Sequence, residues 1–238
     1  DAPAGRSGSA PLVGHLICKG WEIRPGEFCG PDQLAGATDQ NGTTNYDRTN
    51  YFQNVPTTAL DLALWLESDR MGHLLGVIDQ ARLDEQRGGV QNEKRQRESR
   101  PFGLMWDRIA AASFPVGHPY RSPPSAAGDL LKGANLDDVK AWFRQYYGAA
   151  NATLVLAGDI DVATAKAKAQ EYFGHIPAGP PLTRHQVWIA PRSDSRRDVM
   201  YDRVAQPRIV RTWNVPPGTD PDGDLLGVFA QVLGGSAA

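Results

Sequence analysis

Residues 43–55 read TTNYDRTNYFQNV, a run in which β-branched and aromatic residues alternate with polar ones. Successive side chains of a strand point to opposite faces, so the pattern predicts a strand with one wet face. Pro56-Thr57-Thr58 follows at once and reads as a helix start. Leu60, Ala63, Leu64, Met71, Leu74 and Leu75 then form an apolar stripe at helical spacing. A half-buried strand feeding directly into an amphipathic helix points to helices packed on a sheet.

Outward from this unit the pattern repeats with variations. A second helix is expected over 80–98; it is highly charged, and Gly88-Gly89 weakens its middle by about 1 kcal/mol per glycine relative to alanine. Further helices are expected near 102–112 and over 136–147 (LDDVKAWFRQYY). Residues 152–157 (ATLVLA) read as a buried strand, followed by Gly158-Asp159 and a helix to about residue 172. The Pro-rich run 176–184 reads as a connector, with strands near 186–190, 198–204 and 208–214 and a last helix over 222–233. The expected class is α+β: a two-layer sandwich of one mostly antiparallel sheet with helices packed on one face. Residues 1–35 are rich in Gly and Pro and sustain no period; Pro11 and Gly14 both work against a helix over 10–18.

At 238 residues the chain is long enough to bury a real core. Its formal net charge of -2 gives no electrostatic reason to expect nucleic acid or an anionic membrane as a partner. No apolar run approaches the ~18 residues of a membrane-spanning helix. Cys18 and Cys29 are the two cysteines, enough for one bridge or two free thiols. The opening Asp1-Ala2-Pro3 carries no initiator methionine and no signal-type apolar region, which reads as a processed or incomplete product.

Several stretches together resemble the pitrilysin/insulinase-type metallopeptidases. They are GATDQNGTTNYDRTNYFQNVP at 36–56, DLALWLESDRMGHLL at 61–75, QNEKRQ at 91–96, HPY at 118–120, NATLVLAGDID at 151–161 and EYFGHIPAGPP at 171–181. They occur in the family's order. The resemblance implies a single incomplete N-terminal peptidase domain over residues 1–238, in which residues 1–148 bear the motif and residues 149–238 form a strand–helix–strand remainder. By the same resemblance, the family's first two strands, ahead of Gly5, and its second homologous domain are missing from this sequence.

The family's chemistry rests on an inverted zincin motif, His-x-x-Glu-His, with a distant glutamate as third ligand. Two histidines at i and i+4 lie on one helical face and grip one Zn²⁺; water takes the fourth position, and the motif glutamate is its general base. Counting from the lead-in Gly5-Arg6-Ser7-Gly8, the motif falls on Pro11-Leu12-Val13-Gly14-His15. Pro11 stands at the first ligand position and Gly14 at the general-base position. His15 and Glu93 stand at the two remaining metal positions. Loss of a general base alone typically costs about 10²–10⁴-fold in rate. The expectation is therefore a zinc-peptidase domain impaired as written, or alternatively a non-catalytic peptide-binding or scaffolding subunit beside an active partner.

Each residue also has a plainer reading. His15 is otherwise a structural histidine and Glu93 belongs to a solvated helix face with Lys94, Arg95 and Arg97. Cys18 packs, or offers a substitute thiolate. His118 is expected to be structural, His73, His175 and His185 surface or packing residues, and Glu67 and Asp69 solvent-facing. Asn41 and Gly42 are substrate-binding by resemblance, because the family's edge strand takes the substrate backbone as an extra strand; otherwise they belong to an ordinary strand. Expected partners are a peptide or unfolded protein and a second homologous domain or subunit, with no nucleic acid and no membrane. The strand's likeness to bacterial extracytoplasmic relatives rests on resemblance alone and leaves the compartment open.

Overall fold

The computed structural model of the chain describes residue 16 and residues 33–122, 135–182 and 189–234. Its first unit is an antiparallel hairpin of β1 (Thr38–Thr44) and β2 (Thr49–Asn54), with Thr44 opposite Thr49 and Gly42 opposite Tyr51. The single strand expected over 43–55 is thus interrupted. Asn45 breaks it: its side-chain Oδ1 accepts the backbone N–H groups of Asp47 (3.0 Å) and Arg48 (2.9 Å), closing an Asx-type turn. The pairing shifts register between Thr38 and Asn41, where Asp39 has φ 52°.

A short 3₁₀ turn, Thr57–Ala59, leads into α1 (Leu60–Gly72). Helices α2 (Gln80–Ser99) and α3 (Met105–Ser113) follow. Asp79 starts α2 by accepting the Arg82 N–H at 2.8 Å. α4 (Leu136–Tyr146) opens with a reciprocal capping box between Asn135 and Asp138. α5 (Val162–Phe173) is capped by Asp161, which accepts from Thr164 N at 2.9 Å, and α6 is Gly223–Gly234.

The main core joins Leu16, Leu74, Ile78, Leu83, Val139 and Phe143, so the turn after α1, the start of α2 and the inner face of α4 share one apolar cluster. α1 is more enclosed than its pattern predicts. Ala63, Leu64 and Leu66 are buried, and so are Ser68, Asp69 and Arg70. The expectation that Asp69 and Glu67 face solvent is overturned. Asp69 is 7% exposed and Glu67 pairs with buried Arg70, because α1 packs against the hairpin on one side and α5 on another.

The loop after α4 meets the Pro-rich connector at glycine-only spacing. A Cβ on Gly148 would lie 2.3 Å from the Ala178 carbonyl oxygen, while Ala149 and Ala150 donate to the carbonyls of Pro177 and Ala178 at 3.0 Å.

The strands expected over 152–157, 198–204 and 208–214 are not formed among the described residues: these stretches make no ladder, and Val155, Tyr201 and Ile209 are largely exposed. A strand exists only where a neighbour supplies its N–H and C=O partners, and an alternating pattern does not encode that neighbour. Residues 186–188 of the remaining expected strand lie outside the described residues. What holds at the coarse level is an α+β chain: helices around a short antiparallel hairpin.

Candidate functional site

Strand β1 is the element that the sequence reading places beside substrate, and the structure shows how it is held. Its inner edge pairs with β2; among the described residues no strand covers its other edge. Asn41 and Gly42 are both exposed, and Asn41 Oδ1 accepts the Gly42 N–H at 2.8 Å. Across the ladder, the Tyr51 ring lies where a Gly42 side chain would go: a Cβ on Gly42 would stand 3.1 Å from Tyr51 Cδ1. The ring is fixed on two other sides. Its hydroxyl lies 3.0 Å from the Tyr147 hydroxyl, just beyond α4, and the Arg70 guanidinium of α1 sits 4.2 Å from its centroid. β1 is thus braced from below by two helices.

The hairpin tip is held separately, by the His-Pro-Tyr stretch. The Tyr120 hydroxyl donates to Asp47 in the turn, and the Tyr46 and Tyr120 rings pack at a tilt of 34° with centroids 4.6 Å apart. This hydrogen bond to the Asp47 carboxylate, helped by burial, pushes the Tyr120 phenol up to about 12. His118 is 7% exposed, accepts the Tyr120 N–H on Nδ1 at 3.0 Å and stacks on Phe114 with centroids 4.5 Å apart. It supports the loop.

Glu93 lies on α2 with its side chain exposed. Val90, one turn earlier, packs against the core cluster that also contains Leu16, the residue following His15. Pro11, Gly14, His15, Cys18 and Cys29 lie outside the described residues. Among the described residues no three or more His, Cys, Asp or Glu side chains are grouped to hold a metal.

One cluster escaped the sequence reading. His73, the residue ending α1, and His175, just past α5, face each other with their Nε2 atoms 3.3 Å apart and rings stacked. They line a cavity of about 270 Å³ with Asp69 and Glu171. The two histidines are 102 residues apart in sequence, so the one available signal was the shared acid-to-histidine spacing of four, Asp69–His73 and Glu171–His175.

Comparison with known proteins sets these features in context. Residues 133–238 match the family model described as the peptidase M16 inactive domain. The zinc protease PqqE of Helicobacter pylori is 28% identical over 158 residues, which is 66% of this chain and 35% of that protein. A crystal structure of a protease from Helicobacter pylori superposes with a TM-score of 0.71 at 26% identity, over 77% of this chain and 44% of the other. Pitrilysin gives a TM-score of 0.65 at 20% identity, over 77% of this chain and 20% of its own, a likeness of fold. The chain thus spans about a third of its curated relative and less than half of either solved structure.

Proposed function

We propose that the chain is a peptide-binding domain of the pitrilysin-type peptidase family whose own zinc-peptidase chemistry is impaired; the family reading is supported by the matched domain type and by the likeness to the zinc protease PqqE. The observation that carries this reading is the sequence Pro11-Leu12-Val13-Gly14-His15 at the motif, set against an intact edge strand at Asn41-Gly42. The first ligand and the general base are replaced by residues that cannot act as either. The strand that receives a peptide backbone needs only main-chain groups on a rigid support, and Tyr51, Arg70 and Tyr147 supply that support.

The resident zinc of the family would be approached here by His15 and Glu93. Val90 and Leu16 in one core cluster support placing those two residues near each other. Extended peptide or unfolded protein is the ligand class, laid antiparallel or parallel along the outer edge of β1. The two-layer sandwich and the division at 148/149 belong to the same proposal.

A second reading is a non-catalytic subunit that works beside an active partner. It is favoured by the description of the matched 133–238 domain type as inactive and by α6, whose Leu225, Val228, Phe229, Val232 and Leu233 are all exposed.

The test is hydrolysis and binding of one unstructured, fluorophore-labelled peptide with zinc supplied. The proposal expects saturable binding without chelator-sensitive cleavage, with binding weakened by Gly42→Pro, which removes a main-chain donor from β1. Zinc-dependent turnover by the chain as written would refute it.

A further inference from the structure

We propose that His73 and His175 form a two-histidine site for a divalent transition metal of the zinc class, remote in sequence from the peptidase motif. Their Nε2 atoms converge at 3.3 Å. Two imidazole nitrogens bound at about 2.0–2.1 Å to one tetrahedral ion stand about 3.3–3.4 Å apart, so the rings already hold the separation that a shared ion requires. Both side chains are exposed at the mouth of the cavity, which leaves a path for the ion.

The surroundings match the charge of a cation. Asp69 lies one turn before His73 on α1, and Glu171 one turn before His175, so each helix end brings a carboxylate to the same cavity as its histidine. These carboxylates line the same cavity and supply negative charge near the ion, whose remaining positions water fills. The site rests on a fixed frame. Ile176 is buried against Gly72, whose Cβ would stand 3.4 Å from Ile176 Cγ1, and Tyr172 donates to Asp61 at 3.1 Å. A metal held here cross-links the end of α1 to the end of α5.

Without metal, the short contact between the rings requires one Nε2–H to donate to the other Nε2. A shared ion instead needs both Nε2 atoms free of hydrogen, so the donating ring carries its proton on Nδ1 when the ion binds, a change of tautomer with no net proton release, and the two helix ends are drawn onto a common ion.

The experiment is calorimetric titration of Zn²⁺ into the whole chain carrying His15→Ala and Glu93→Ala, which removes the peptidase-type ligands. The proposal expects one equivalent to bind, and expects its loss when His73→Gln and His175→Gln are added. Absence of binding in the first variant, or binding undiminished in the second, overturns it. A second measurement guards against a misfolded variant. In the unaltered chain, Co²⁺ should shift the imidazole resonances of His73 and His175; resonances that stay in place would equally overturn the site.

Discussion

Gly42 and Tyr51 face each other across the hairpin so closely that a single added carbon on Gly42 would stand 3.1 Å from the Tyr51 ring. The ring has nowhere to retreat, since Arg70 covers it and Tyr147 holds its hydroxyl. Gly42→Val should therefore destabilise the chain by about 1–3 kcal/mol, the usual cost of overpacking. Tyr51→Phe, which keeps the ring and removes only the hydroxyl contact, should cost about 1 kcal/mol. Urea unfolding of both variants checks the order: the glycine change must be the larger.

Helix ends give a second prediction. Asp79 and Asn135 accept backbone N–H groups at the starts of α2 and α4, each at 2.8 Å. Replacing either with alanine should lower stability by about 1 kcal/mol. Gly88→Ala should do the opposite, raising it by up to about 1 kcal/mol, because nothing lies within 4 Å of the new Cβ. Thermal denaturation of the three variants should show two losses and one gain.

Tyr120 yields a prediction at high pH. Its phenol is raised from 10.0 to about 12, first by donating to Asp47 and then by burial. A group whose folded value is raised stabilises the fold fully below its unfolded value, and that contribution fades as pH climbs through about 12. Beside Tyr46 and Tyr172, whose phenols are also raised, Tyr120 should contribute to a late phase in ultraviolet titration. Asp47→Asn should return Tyr120 towards 10.0.

Asp61 behaves in the reverse sense. Its carboxyl is lowered from 3.8, first by the Lys168 hydrogen bond and then by that of Tyr172. The contribution is present above the ordinary carboxylate value and is lost as pH falls below it. Amide exchange at the junction of α1 and α5 should accelerate below about pH 4. In Asp61→Asn that acid-dependent step should be absent.

Much of the helical structure was legible in the sequence for local reasons. Asp79, Asn135 and Asp161 cap α2, α4 and α5 at the positions where each apolar or charged period begins, and capping is written within four residues. The hairpin turn was missed because Asn45 acts through its side chain on Asp47 and Arg48, a bond that an alternating pattern conceals. The expected strands beyond residue 150 failed for a non-local reason: Val155 and Tyr201 have strand-forming neighbours in sequence but no ladder partner among the described residues. Among the proposed site residues, Asn41, Gly42 and Glu93 are singled out by resemblance alone, whereas the meeting of His73 with His175 depends on how α5 packs on α1, at which the shared acid-to-histidine spacing only hints.

The central claim is that Pro11 and Gly14 have removed the peptidase zinc site while its other residues remain. It is tested most directly by zinc stoichiometry in a His73→Gln/His175→Gln background, comparing the chain as written with Pro11→His/Gly14→Glu. The account predicts no stoichiometric zinc in the first and one equivalent in the second. An equivalent of zinc already held by the chain as written, and released by Glu93→Ala, would contradict it.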